Sequence, residues 1–165
     1  MIPWVHLATA AVPDGGGELR LKRRGAEFSI MSGTIELMNS RLSGSEEALA
    51  TLVAQRLAGR KAPSVLIGGL GMGFTLRAAL AAFGADARIT VAELVPEVVD
   101  WARGPMADLS AGCLDDPRVT VAIADVAALI RPETGRGPVP QWDAILLDVD
   151  NGPEGLTRRV NDRLY

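Results

Sequence analysis

The sequence predicts an α/β fold in which a doubly wound parallel sheet follows a small antiparallel β meander, and three observations predict it. First, an apolar strand beginning at Val65 runs into glycines at 68, 69, 71 and 73 and then into a helical pattern, in VLIGGLGMGFTLRAAL. Second, three more short apolar strands follow, and they finish in acids: Glu93, Asp125, and Asp148 with Asp150. Third, Glu18 to Asn39 breaks into the alternating pieces LRL, EFSIM and TIELM, separated at Arg24-Gly25 and Ser32-Gly33. Period-two alternation between turn residues is a strand signal, whereas strands alternating with helical stretches signal parallel crossover units.

Composition sets the outer bounds. With 165 residues, 48% hydrophobic and 22% charged, the chain is an ordinary globular domain with enough apolar material for a core. A net charge of −3 gives no electrostatic case for nucleic acid, because the short cluster Arg20, Lys22, Arg23, Arg24 reads as a solvated strand and turn. The single cysteine, Cys113, excludes an internal disulfide and a Cys-based metal cage and fits a reducing, cytoplasmic setting. A lone histidine, His6, in an N-terminal stretch expected to be mobile, gives no support to a zinc site or a His-dependent triad. No apolar stretch reaches the ~18 residues of a membrane span, and the opening MIPWVHLATAAVP has no basic segment ahead of its apolar run.

The elements follow in order. Gly15-Gly16-Gly17 is a flexible lead into the three-stranded meander, which would form a lid or platform, so residues 1–43 make one unit and 44–165 a second. Ser43 and Glu46 have the spacing of a capping box, and Leu49, Leu52, Val53 and Leu57 recur at helical spacing up to a stop near Gly59. Acids at Glu46 and Glu47 suit the first turn of that helix. The glycines after Val65 allow a sharp turn and close approach of backbone to a ligand, and the following helix would aim its free N–H groups at it. A second strand, Ala87 to Val91, leads to Glu93, about 20 residues beyond the last glycine, where dinucleotide-type folds place an acid on the ribose hydroxyls. Pro96 opens a helix containing Trp101, which reads as a packing residue. A third strand, Val119 to Ala124, ends at Asp125, ahead of the brief helix Val126 to Ile130. After the Pro/Gly-rich RPETGRGPVPQ, Asp143 to Leu147 is the fourth strand. In open parallel sheets ligands collect outside the carboxyl ends of the strands, so Glu93, Asp125 and Asp148 should converge on one crevice. Met31, Met38, Met72 and Met106 read as core filler, with Met72 placed to touch a ligand.

The succession GGLGMG, VAELVPEVVDWAR, DDPRVTVAIADV and WDAILLDVDNGPEGL resembles the Rossmann-like fold of class I S-adenosylmethionine-dependent transferases, and within it the spermidine synthase-like group, over roughly 45–165. DPRV with its following AD, and the Asp-rich strand end before GP, are the more specific part. The resemblance implies that Gly69, Gly71 and Gly73 pass under the methionine moiety of the cofactor, that Glu93 binds the ribose and that Leu94 sits against the adenine. It also implies that Asp125 faces the adenine amino group and that Asp148 stands where aminopropyltransferases keep the aspartate that accepts the amine's proton, with Asp150 a second acidic contact. An N-terminal strand region that covers the site or helps form a homodimer is implied too. In the doubly wound order the fourth strand would lie on an edge although AILL is patterned for burial on both faces. The group has further strands beyond this point, so the expectation is a C-terminally incomplete domain or an edge covered by a partner.

The group's glycine loop carries an acid, in GGGDGG, and its DSSDP signature; here the corresponding runs are GGLGMG and DVDNGP. The leading expectation is therefore an S-adenosylmethionine-binding transferase that moves a methyl group to a small, amine-type acceptor. The alternatives are a polyamine aminopropyltransferase using decarboxylated S-adenosylmethionine, and a non-catalytic adenosyl-binding or assembly module. A nicotinamide oxidoreductase would share the loop and Glu93, yet no Lys, Tyr or His stands at the strand ends to assist hydride transfer.

Overall fold

The computed structural model describes residues 2–131 and 141–149. Four strands open the chain: β1 (Val5–Ala11), β2 (Glu18–Arg24), β3 (Glu27–Ser32) and β4 (Ile35–Asn39), paired antiparallel in sequential order. The last three are the expected meander. The first is an addition, and it corrects the expectation of a mobile N-terminus: His6 is paired with Lys22 in the β1–β2 ladder. Its inward positions, Ala8, Ala10 and, just beyond the strand, Val12, alternate with outward ones, but alanine is a weak strand former and hides the pattern. Along β2, buried Leu19 and Leu21 alternate with the partly exposed Arg20 and Lys22, which is the solvated basic face expected.

Helix α1 (Gly44–Arg56) follows. The capping box does not form: the Ser43 hydroxyl donates to the Glu47 carboxylate at 3.0 Å, and Ser45 donates to Glu46 at 2.7 Å. The parallel sheet then builds from β5 (Ser64–Gly68), α2 (Phe74–Ala82), β6 (Arg88–Glu93), α3 (Pro96–Arg103) and a one-turn α4 (Ala107–Ser110). It continues with β7 (Val119–Ile123), α5 (Val126–Ile130) and β8 (Ala144–Leu147). Among the described residues the order is β7-β6-β5-β8, every pair parallel, with the first strand of the sheet inside and the fourth on its other side. This is the doubly wound arrangement.

Val65, Leu66 and Ile67 of β5 are fully buried because both faces of the strand are covered. One face joins the antiparallel sheet, α2 and α3 in a single apolar core that includes Leu21, Ile30, Leu76 and Trp101. On the other face Leu66, Ala92 and Val126 gather Leu129, Trp142 and Leu147. The inner face of the antiparallel sheet therefore roofs the carboxyl ends of the parallel strands. The glycine loop lies beneath that roof.

Candidate functional site

The DPRV run does its work at the opposite end of the sheet from the acids. Asp116 and Arg118 form a two-pronged ion pair with both N···O distances at 2.9 Å, which holds Asp116 down to a pKa of about 2. A further Arg118 nitrogen donates to the Phe83 carbonyl at 2.9 Å, tying the start of β7 to the end of α2. The DPRV part of the sequence pattern is thus a brace, while its AD and Asp-rich parts supply Asp125 and Asp148 to the cavity. Asp143 is another: it accepts from the Ser64 backbone N–H at 2.8 Å and pairs with Arg60, fastening β8 to the start of β5.

At the carboxyl ends lies a cavity of about 160 Å³. Its floor comes from Gly69 and Gly71 after β5, Glu93 and Leu94 at the end of β6, Asp125 after β7 and Asp148 after β8. Val12, Leu19, Ile30, Leu37 and Met38 of the antiparallel sheet close it from above. Six of the eight residues singled out in the sequence are thereby brought together. Gly73 is not among them: at φ +84° it caps α2 and faces Cys113 and Ser110. Asp150 lies outside the described residues.

Glycine is required at two points of the floor. A side chain on Gly69, at φ +90°, would strike the backbone carbonyl oxygen of Asp148; at Gly71 the requirement comes from the left-handed φ of +53°, since the nearest atoms are the flexible end of Met38. Glu93 is buried and works as a clasp. One of its oxygens accepts from the Leu70 N–H and the other from the Val95 N–H, both at 2.9 Å. Burial pushes its pKa up, and these amides, with those of Gly71 and Leu94, pull against it.

The loop offers a ligand fewer donors than the sequence suggests. The Gly69 N–H is bound to the Ala92 carbonyl, that of Leu70 to Glu93, that of Met72 to the Met38 sulfur at 3.2 Å, and that of Gly73 to the Leu70 carbonyl. Met38 is therefore more than core filler: it is folded over the glycine loop. Asp125 caps α5 by accepting from the Ala127 N–H at 2.9 Å while also lining the cavity.

Asp148 is largely enclosed, and burial raises its pKa, with the negative charge of Glu46 adding in the same direction. Its Oδ2 accepts from the hydroxyl of Thr75 at 2.7 Å, which acts the other way. Thr75 and Met38 are site residues that sequence reasoning missed. The one available signal for Thr75 was a polar residue on the face of α2 that otherwise buries Leu76 and Ala79.

The arrangement fits an adenosyl group in its walls: an apolar slot at Leu94, Val95 and Val126, flanked by Glu93 and Asp125. No Lys or Arg lines the cavity among the described residues. The free space falls short of the ~300 Å³ at which small-molecule pockets usually begin, and Met38, lying over Gly71, takes up part of it.

No protein-family profile matches the chain. Polyamine aminopropyltransferases of Mycobacterium tuberculosis and Mycobacterium bovis are 38% identical to it over 88 residues, which is 53% of this chain and 16% of theirs. Spermidine synthase from Thermotoga maritima superposes with a TM-score of 0.65 at 21% identity, covering 87% of this chain and 48% of that one. A spermidine synthase solved with the transition-state analogue AdoDATO gives the same TM-score. A probable spermidine synthase from Corynebacterium glutamicum gives 0.53 at 19% identity, covering 88% of this chain and 52% of that one. The chain thus spans about half the length of these solved structures. With its antiparallel sheet roofing a parallel β7-β6-β5-β8 sheet, it has the spermidine synthase-like form of the class I S-adenosylmethionine-dependent transferase fold.

Proposed function

We propose that the cavity binds decarboxylated S-adenosylmethionine and that the protein transfers its aminopropyl group to a small amine, with Asp148 accepting the proton. The observation that carries this reading is the convergence of Glu93, Asp125 and Asp148 with the side-chain-free Gly69 and Gly71 on one roofed cavity.

Aminopropyl transfer replaces methyl transfer, the leading expectation from sequence, on two grounds. The curated relatives carry the name polyamine aminopropyltransferase, and the solved neighbours are spermidine synthases. The second ground is physical. The carboxylate of S-adenosylmethionine would enter a site with no described basic side chain and with its loop amides from Gly69, Leu70, Met72 and Gly73 already engaged. Burying a charge without a partner is unfavourable by roughly several kcal/mol; the decarboxylated donor carries no such group.

When bound, the donor supplies an electrophilic carbon beside a sulfonium, whose C–S bond breaks as the amine's lone pair forms the new C–N bond. The protein's part is alignment and proton removal. Glu93 fixes the loop and presents a buried carboxylate at the ribose position. Asp125 holds the far wall. Asp148, at the end of β8, draws in a cationic amine and takes its proton, and a carboxylate made more basic by burial suits that task.

The test is transfer from decarboxylated S-adenosylmethionine to putrescine by the intact chain and by Asp148→Asn. Turnover in the wild type, reduced about 10²–10⁴-fold in the variant with donor affinity retained, is expected. Equal turnover in the two proteins, or methyl transfer from S-adenosylmethionine without aminopropyl transfer, would overturn the reading.

A further inference from the structure

We propose that Thr75 is a positioning residue for Asp148: its buried hydroxyl holds one carboxylate oxygen so that the other faces the amine acceptor in a fixed direction. This rests on the reading of Asp148 as proton acceptor. Thr75 is the second residue of α2 and is 1% exposed. A threonine on a helix usually satisfies its hydroxyl locally, by bonding a carbonyl of its own preceding turn. Thr51 does so, donating to the Glu47 carbonyl at 2.8 Å. Thr75, in the first turn of α2, has no preceding helical turn to bond and donates instead to a residue 73 positions away, on the neighbouring strand's end, at 2.7 Å, within the range of a hydroxyl–carboxylate bond.

The surroundings make that bond matter. Among the described residues, the charged groups that face Asp148 are acids: Glu46 from α1, with Glu93 from β6 and Asp125 from the β7–α5 junction lining the same cavity. No described Lys or Arg lines the cavity to hold the carboxylate. The hydroxyl of Thr75 is the single side-chain donor to Asp148 among the described residues. It occupies Oδ2 and leaves Oδ1 without a side-chain partner there. A lone carboxylate in an acidic, enclosed site would rotate and take up a proton readily; the Thr75 bond opposes both.

The test compares wild type, Thr75→Val and Thr75→Ser in the intact chain by following the carboxyl carbon of Asp148 in an NMR pH titration, assigned by its loss in Asp148→Asn. The valine variant keeps the shape and removes the donor. Its titration midpoint should rise by about one pH unit, and the serine variant should restore the wild-type value. The acid limb of aminopropyl transfer to putrescine should move with it. Should the valine variant fail to fold, Thr75→Ala carries the same comparison. An unchanged midpoint in a folded valine or alanine variant overturns the proposal, even when Asp148→Asn is inactive. Full turnover by Asp148→Asn instead overturns the role of Asp148, and the proposal with it.

Discussion

In its proposed role, Asp148 sits where activity and stability pull in opposite directions. Its folded-state pKa is raised by burial and by Glu46, so between its unfolded and folded values the native state holds the proton more tightly. Stability therefore falls as pH rises through that interval, and the ionised native form is the penalised one. Asp148→Asn is expected to melt higher than wild type near neutral pH while losing turnover, and to lose this advantage below the ordinary carboxylate range. Thermal melts at both pH values check it. Gly69→Ala is the complementary case, because the new methyl meets the Asp148 carbonyl and the backbone is at φ +90°. A loss of about 1–3 kcal/mol in chemical denaturation is expected; wild-type stability would mean that the loop readily shifts. Glu93, Asp125 and Asp148 were legible because each follows an apolar strand, and strand ends in a parallel sheet converge. Thr75 and Met38 were not. Their partners lie 73 and 34 positions away, and nothing local in FTLR or ELMN announces a contact that only the packed sheets create.

Among the elements, β4 has a role that its short pattern conceals. It places Met38 over Gly71, where the thioether takes the Met72 N–H and narrows the cavity. Methionine is flexible enough to leave without disturbing the sheet. Met38→Ala should therefore bind methylthioadenosine more tightly than wild type, by up to about tenfold, the factor that 1.4 kcal/mol represents. Weaker binding in the variant would make Met38 part of the ligand's wall rather than an obstacle. The other elements divide by the strength of their local signal. β5 and β6 are apolar runs with an abrupt stop, and α3 begins at its proline as expected. β1 escaped notice because its inward side chains are largely alanine. The Ser43 box failed because its hydroxyl found the Glu47 carboxylate instead of a backbone N–H. DPRV, part of the family resemblance, forms an Asp116–Arg118 brace remote from the cavity.

At the level of the whole molecule, two sets of acids titrate against each other. Asp116 and Asp143 are held below the usual carboxylate range by Arg118 and by the Ser64 amide, respectively, so the stability they bring is lost as pH falls through their folded values. Glu93 and Asp148 are raised, so they favour the folded state while protonated and cease to do so as pH climbs through theirs. Stability should rise from strong acid to a maximum on the acid side of neutrality and then decline. Urea unfolding across that range checks this, and a steady rise to neutral pH would contradict it. The doubly wound order was legible in the spacing of strands and crossovers, and β8 pairs with β5 on the side away from β6 as that order requires. The roof was not, since how an antiparallel sheet seats itself over strand ends depends on packing between Val12, Leu19 and Ile30 and the far side of the cavity rather than on any local pattern.

That roofed cavity is the centre of the account, and calorimetric titration of the purified chain with decarboxylated S-adenosylmethionine, S-adenosylmethionine, methylthioadenosine and NAD tests it most directly. Binding of the decarboxylated donor and methylthioadenosine, with S-adenosylmethionine at least tenfold weaker for its unpartnered carboxylate, is the predicted result, tenfold being about 1.4 kcal/mol. Preference for S-adenosylmethionine or NAD, or the absence of heat with every adenosyl ligand, would contradict it.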